Sequence, residues 1–467
     1  MRIAQVIHTF PPYSVGGSEN YTHALAKELQ RLGHQVGVFH RIADSSRGEY
    51  AVEQARVDGL PVWKMNHIFQ YYDRFEKLYR DEEIDKRFGE FLDTFRPHII
   101  HLHHLTCLST TMVLEAKRRG CPVVMTLHDY WLICQRGQFL KPDLTLCAGQ
   151  EDHACVKCLT RELGVTEANR KASPLDRPVV LTRFSLVNRA YRFLRKQYLL
   201  SRQWFWPPPD GAVQEVRRRM RHVRDICRNI DLFIAPSRFL QEKFLAFGVP
   251  SERLVFSDNG YDSASFREHQ KARREEKRLR FGFIGVVFPP KGVHILIEAF
   301  REVAEEEAEL VIHGAEVPYE GFESYGEHLR RLAAGRKNIH FAGSYLPSEI
   351  GQLLGTVDVL VVPSVWYENS PLTIHEAFLA RVPVITSDLG GMREFIRHGE
   401  NGLLFRSRNV ADLREKMRQF IRHPALVEQL GGRASAVKTI REDAVSMVER
   451  YENLLALSNG SQRRARQ

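Results

Sequence analysis

The sequence predicts an α/β protein made of two doubly wound halves that face each other across a cleft. Short apolar runs alternate with helix-period segments along most of the chain, the pattern of parallel sheets covered on both faces. The alternation runs twice, and between the two series lies REHQKARREEKRLR (267–280), a charged stretch with almost nothing to bury. At 467 residues the chain also exceeds one ordinary core.

The first series opens on RIAQVIHTF, an apolar run of the kind that forms a buried parallel strand. A glycine-containing loop, PPYSVGGSEN, leads into YTHALAKELQRLGHQ with helical spacing. HQVGVFH, RPHIIHLHH and CPVVMTLHDY read as further strands, with TTMVLEAKRRG as a helix between the last two. From about 134 to 209 the pattern breaks into a cysteine-bearing loop and a basic, aromatic stretch. It then resumes with NIDLFIAPS, the helix RFLQEKFLAFG and the strand RLVFSDNG. This half is assigned residues 1–265.

The second half, 266–430, starts at FGFIGVV and continues through HILIEAFREVAEE, AELVIHG, SYGEHLRRLAAG, NIHFAGS, DVLVVPS, VPVITS and NGLLF. Residues 431–457 are expected to be helical and to cross back to the first half. SNGSQRRARQ (458–467) reads as a disordered basic tail. Such sheets bind ligands at the carboxyl ends of their strands.

Hydrophobic content of 43% and charged content of 27% are ordinary for a globular protein. The balance of 67 basic over 57 acidic residues, +10, favours an anionic partner, with plain solubility charge as the other reading. No run of about 18 apolar residues exists to span a membrane. MRIAQVIHTFPP is broken too soon by proline for a secretory leader. Seven cysteines, an odd number, fit reduced thiols and a cytoplasmic location better than a disulfide framework.

Chemistry concentrates in WYENSPLTIHEAFLARVPVITSDLGG (366–391). DVLVVPS leaves the sheet, WYENS is the loop at its end, and LTIHEAFLA continues as a helix. Ser370 suits the cap and Pro371 the first helical position. Free amides of the first turn then make an anion site. Glu368 stands on the loop, and Glu376 about a turn and a half into the helix. Carboxylates repel phosphates, so each is better suited to accept hydrogen bonds from hydroxyls; the alternative is two solvated charges.

Elsewhere, Gly16 and Gly17 open the first helix and let backbone amides approach a ligand closely, unless they simply make a tight turn. Of His101, His103 and His104, alternation splits the side chains between two faces, and they read as packing or surface residues. Cys134, Cys147, Cys155 and Cys158 fall in one loop-rich stretch that closes with a Cys-x-x-Cys pair. Four thiolates can hold a structural zinc ion that staples the insertion; a labile disulfide or four ordinary thiols are the alternatives. No Asp-x-Asp pair occurs, which argues against a divalent cation on a diphosphate. The segment Arg177–Trp206 has seven basic residues, no acidic one and an apolar stripe at helical spacing. It suits an anionic membrane interface, or packing with its arginines in water.

ENSPLTIHEA, VPVITSDLGGMREFI and GENGLLF together resemble the donor site of retaining, nucleotide-sugar-dependent glycosyltransferases of family 4, which have the GT-B fold of two Rossmann-like domains. The Gly-Gly loop, PHIIHLHH, TLHD, LFIAPSRFL, NGYD and the Lys-Gly turn occur in the same order, so the resemblance spans nearly the whole chain. It implies that Glu368 lies beside donor-sugar hydroxyls and Glu376 holds the ribose. The backbone of Asn369, Ser370, Pro371, Leu372 and Thr373 then meets sugar and diphosphate. Lys291 stabilises the departing nucleoside diphosphate, and His128 of the His-Asp step reaches the reacting sugar. Gly16 and Gly17 lie near the donor phosphate and the acceptor. Many relatives carry Gly-Arg before the lysine where this chain has Gly285-Val286, so a second phosphate cation is missing from its usual place.

The expected reaction moves a sugar from a nucleoside-diphosphate donor to a hydroxyl of a saccharide or lipid-linked acceptor, with retention, in polysaccharide or glycolipid synthesis. No catalytic cofactor is expected, and nucleic acid is not an expected partner. The protein is expected in the cytoplasm, with peripheral binding at the inner membrane face as the further option. The rival readings are another GT-B enzyme, an epimerase or phosphorylase, and a non-catalytic membrane-associated scaffold.

Overall fold

The computed structural model describes residues 1–14, 16–69, 72–159, 162–163, 211–263, 266 and 278–465, with side chains to 458. The basic segment 177–206 and most of the charged stretch 267–280 lie outside the described residues.

The first sheet holds β1 (Arg2–Ile7), β2 (Gln35–Ile42), β3 (Val52–Val57), β4 (Leu60–Asn66), β5 (Ile99–Leu102), β6 (Val123–Thr126), β7 (Leu232–Ala235) and β8 (Leu254–Phe256), in the order β3-β4-β2-β1-β5-β6-β7-β8. The second holds β9 (Leu279–Ile284), β10 (Ala308–His313), β11 (Ile339–Gly343), β12 (Val359–Val362), β13 (Val384–Ser387) and β14 (Gly402–Phe405), in the order β11-β10-β9-β12-β13-β14. The two doubly wound halves therefore stand as the sequence predicts. In each sheet the order reverses beside the opening strand, between β1 and β5 and between β9 and β12, and ligand crevices form outside such points. The central strands are apolar on both faces because helices cover both; β5, β6, β12 and β13 are buried throughout.

One element departs from the parallel reading. β3 pairs antiparallel with β4 across Asp58-Gly59, both at positive φ (48° and 84°), which is the backbone of a tight hairpin turn. The signal, an Asp-Gly step between short alternating runs, is present in the sequence.

The helices in chain order are α1 (Gly17–Arg31), α2 (Glu82–Phe95), α3 (Met112–Arg118), α4 (Asp152–Cys158), α5 (Ala212–Cys227), α6 (Arg238–Phe247), α7 (Val293–Phe300), α8 (Tyr325–Ala333), α9 (Ile350–Gly355), α10 (Leu372–Leu379), α11 (Met392–Phe395), α12 (Val410–Arg422), α13 (Leu426–Gly431) and α14 (Ile440–Ala465). α14 lies on the first sheet beside α1. Ile440, Ala444, Met447 and Tyr451 join the cluster of Ile3, Ile7 and Leu25. Asp443 accepts from Tyr21 Oη at 2.7 Å, and Tyr451 Oη and His101 Nδ1 share a 2.6 Å bond. The helix runs through the stretch read as a disordered tail. No proline interrupts it, and its glutamine, arginines and alanine are good helix formers. Among the described residues no helix is long and apolar enough to cross a membrane.

Candidate active site

The carboxyl ends of the two sheets enclose a cavity of about 640 Å³. Its walls include the α1 start at Gly16 and Gly17, the His128 loop, Lys291 and the run from Glu368 to Thr373, with Glu376. Every catalytic or donor residue named from the sequence thus lines one space.

The second-domain wall grows from two turns. After β9 the chain passes through Pro289–Lys291, a single 3-10 turn, to Gly292 at φ 71°. A Cβ there would stand 2.0 Å from the Pro363 carbonyl oxygen, so only glycine lets this turn seat on the exit of β12. The seating brings Lys291 to the buried Glu368: Nζ donates to Oε1 at 2.6 Å. Ser364 Oγ and Trp366 Nε1 donate to the same oxygen at 2.7 and 2.9 Å. Oε2 has no protein donor among the described residues. The resemblance implies separate tasks for these two residues, but the fold joins them as an ion pair.

α10 begins one residue later than expected. Pro371 occupies the cap position with extended backbone (φ −67°, ψ 120°), and its ring cannot cap. Ser370 is therefore no cap: its hydroxyl donates to Asp258 Oδ1 at 3.0 Å and lies 3.2 Å from Tyr261 Oη. Among the described residues, the amides of Asn369, Ser370, Leu372 and Thr373 have no protein acceptor. These are the orphan donors of a helix start, aimed at the cavity with the positive end of the helix dipole behind them. A Cβ on Gly391 would lie 1.7 Å from the Asn369 carbonyl oxygen, so a glycine there also shapes this loop.

Glu376, a turn further on, has no hydrogen-bond or ion-pair partner among the described residues, and burial raises its carboxyl pKa to about 7. An unpaired carboxylate in a cavity is costly to keep and well placed to receive hydroxyl donors.

The loop is also tied to the first domain. Asn369 Oδ1 accepts from Ser237 Oγ at 2.6 Å, while its Nδ2 donates to the carbonyls of Leu127 and His128 at 3.0 and 3.4 Å. Only the backbone of Asn369 is left for a ligand. His375 Nε2 bonds Asp258 Oδ2 at 2.9 Å, and its ring stacks on Tyr261 at 4.3 Å. Gly17 packs against Leu372, whose Cδ1 would stand 3.3 Å from an added Cβ.

The first-domain wall is a histidine cluster. β5 and β6 are parallel neighbours in register, so the residues after each meet. His103 Nδ1 and His128 Nε2 share a 3.2 Å bond, and His104 Nε2 lies 2.9 Å from Asp129 Oδ2. Burial, and then His104, hold His128 down to about 3, so its ring is neutral. His8 is also held near 3 by burial and His104. Burial works to lower His104 too, but Asp129 outweighs it and the net shift is upward. Sequence reading set His104 aside as packing or surface and passed over Asp129 and His8. In the fold all three line the cavity. β5 ends at Leu102, so alternation could not place His103 and His104.

Cys134, Cys147, Cys155 and Cys158, all free thiols, line a separate small cavity of about 40 Å³. Among the described residues no three His, Cys, Asp or Glu side chains are grouped so as to hold a metal ion. The buried Arg219 lines the same cavity and donates to the carbonyls of Trp131 and Leu132 at 2.6 and 3.2 Å.

Two Rossmann-like domains with a glycine-opened helix on one side, and a helix start flanked by carboxylates on the other, define a GT-B protein. The family model "Glycosyl transferases group 1" matches residues 265–437, and "Glycosyltransferase Family 4" matches 15–154. The chain is a glycosyltransferase of this group 1, family 4-like kind. It is 24% identical over 404 residues to an uncharacterized glycosyltransferase of Methanocaldococcus jannaschii, covering 86% of this chain and 84% of that one. Sucrose-phosphate synthase from Thermosynechococcus elongatus superposes with a TM-score of 0.66 at 17% identity, over 98% of this chain and 99% of that one. Anabaena HepE, solved in complex with UDP and glucose, superposes with a TM-score of 0.58 at 17% identity, over 99% and 100%. At these identities the superpositions establish the fold.

Proposed function

We propose that the protein is a retaining glycosyltransferase that takes a sugar from a nucleoside-diphosphate donor to a hydroxyl of a saccharide or lipid-linked acceptor. The observation that carries this reading is what one cavity wall gathers: the Lys291–Glu368 pair, the free amides of Asn369, Ser370, Leu372 and Thr373, and unpaired Glu376. A sugar, a diphosphate and a ribose call for these kinds of group. As the glycosidic bond ionises, Lys291 and the amides take up the charge on the leaving diphosphate. The acceptor hydroxyl attacks from the same face and passes its proton to a departing phosphate oxygen. Glu368 is a poor nucleophile because one of its oxygens already accepts three hydrogen bonds, and this supports a route with no covalent enzyme intermediate.

The test is a thermal-shift panel of UDP, GDP and ADP with their sugars, followed by transfer of labelled sugar to added acceptors. NMR of the product anomer then decides retention. No shift from any of these nucleotides overturns the reading, and turnover of donor without transfer points to an epimerase or phosphorylase.

Two subsidiary proposals accompany this reading. Zinc staples the cysteine loop, supported by four thiols around one cavity beside a buried guanidinium with no carboxylate partner. Because the thiols are not grouped for a metal, they must close in to bind one; about one zinc per chain by elemental analysis is expected, and metal-free protein of unchanged melting temperature refutes it. An anionic membrane binds the basic segment 177–206 from the cytoplasmic side. Sedimentation with phosphatidylglycerol vesicles but not phosphatidylcholine vesicles is expected, and equal behaviour with both refutes it.

A further inference from the structure

A diphosphate in this cavity meets a charge shortage. Lys291 is the one lysine on its described walls, and its charge is already matched by Glu368 at 2.6 Å. Val286 lines the same space as an exposed apolar side chain, 42% accessible, on the turn that leads to Lys291. Helix amides supply partial charge only.

The one guanidinium on the described walls comes from the opposite domain. Arg136 follows Cys134 in the loop after β6, and it lines both the large cavity and the small thiol-lined one. Its Nε donates to the Leu140 carbonyl at 3.2 Å and its Nη2 to Tyr319 Oη at 3.3 Å. Among the described residues Nη1 has no protein acceptor and no carboxylate is within ion-pair distance of the group, the charge of Glu320 acting on it from further off. Tyr319 Oη donates its own hydrogen bond to Gln138 Oε1 at 3.0 Å, so the neutral tyrosine fixes the fork without cancelling its charge.

Tyr319 also belongs to the Lys291 turn. Its ring lies 5.7 Å from that of Phe288, the residue that opens the turn. The segment before it is zipped to the same turn, with Val287 N donating to the Ala315 carbonyl at 2.9 Å and Val317 N to the Val287 carbonyl at 3.2 Å. A guanidinium anchored through Tyr319 is thus held from across the gap against the loop that carries Val286 and Lys291.

We infer that Arg136 is a diphosphate-binding residue supplied across the cleft, completing the charge that Lys291 alone does not provide. The inference rests on the nucleotide-sugar reading above. A guanidinium reads a phosphate through two parallel N–H groups, which an ammonium cannot do. It also gives the cysteine loop a task, since that loop delivers Arg136 into the cavity.

The experiment compares nucleoside diphosphates with their monophosphates. Dissociation constants for UDP, GDP and ADP, and for UMP, GMP and AMP, are measured on the unsubstituted protein, Arg136→Ala, Arg136→Lys and Arg136→Ala/Val286→Arg. Expected for Arg136→Ala is a loss of roughly tenfold to hundredfold in affinity for the preferred diphosphate, with its monophosphate changed less than about twofold. Arg136→Lys recovers part of that loss, and Val286→Arg, entering the same space from the other wall, restores the preference for diphosphate. A melting temperature within about 3 °C of the unsubstituted protein shows that the fold is kept; if alanine unfolds the chain, the lysine variant carries the test through its lower diphosphate preference. If a diphosphate binds and Arg136→Ala or Arg136→Lys leaves the preference intact, Arg136 is the wrong residue and the nucleotide-sugar reading stands. If the double variant gains nothing, the two positions do not serve one phosphate. If no nucleotide binds the unsubstituted protein, the functional reading fails and this inference fails with it.

Discussion

The two walls of the cleft are built in opposite ways. The second-domain wall is made from two contiguous stretches, one ending at Lys291 and one running from Glu368 to Glu376, and most of what it offers is backbone. The first-domain wall is assembled from side chains after β1, β5 and β6, namely His8, His104, His128 and Asp129, whose protonation each depends on the others. A helix start presents its donors whatever its side chains are, so that wall suits the constant part of a donor. A cluster of imidazoles is adjustable by single substitutions, so that cluster suits a part of the substrate that differs between enzymes.

Substitution at the second-domain wall should have a larger effect than substitution in the histidine cluster. Lys291→Ala is expected to lower kcat/KM for transfer by about 10²–10³-fold, the usual cost of losing a donor to developing charge. Steady-state kinetics that show less than a tenfold loss would break the contrast at its strongest point.

Glu376→Gln comes next, with nucleotide affinity weaker by roughly tenfold as a hydroxyl acceptor of full charge is lost. pH sharpens this case. The folded carboxyl titrates at about 7, above its ordinary 4.5, so the folded state holds the proton longer than the unfolded chain. The group therefore costs stability progressively as pH rises from 4.5 towards 7. Differential scanning calorimetry should find Glu376→Gln more stable than the unsubstituted protein at pH 8 and equal to it near pH 4.5. Binding of the nucleotide sugar, whose own diphosphate does not titrate there, should strengthen from pH 6 to 8 in the unsubstituted protein and stay flat in the variant.

The smallest effect is expected in the histidine cluster. Asp129→Asn removes the charge that raises His104, so the imidazole becomes neutral at lower pH. Transfer should fall on the order of fivefold to tenfold, with its pH profile displaced and nucleotide affinity unchanged by calorimetry. A matching loss of nucleotide affinity would mean that the histidine cluster is not set apart from the nucleotide.

This division also governs what could be read from the sequence. Glu368, the helix start and Glu376 sit in one short stretch, so motif spacing reached them directly, and the alternation of apolar runs with helical segments gave both sheets except β3 and β4. The hairpin at Asp58-Gly59 was missed although its turn signal is written in the sequence, and the delayed start of α10 because it turns on the backbone choice at Pro371. His104, Asp129 and Arg136 were missed for a different reason. They become neighbours only once β5 and β6 are in register and the cysteine loop folds over, and no spacing along the chain records that. The Lys291–Glu368 pair joins residues 77 positions apart by the same route.

Asn369 holds Ser237 and two carbonyls of the opposite domain with its side chain, while its amide faces the cavity. Parting the halves would therefore have to break the side-chain bonds of a residue that also lines the cavity. On the proposed reading, ligand contact and cleft opening meet at a single asparagine.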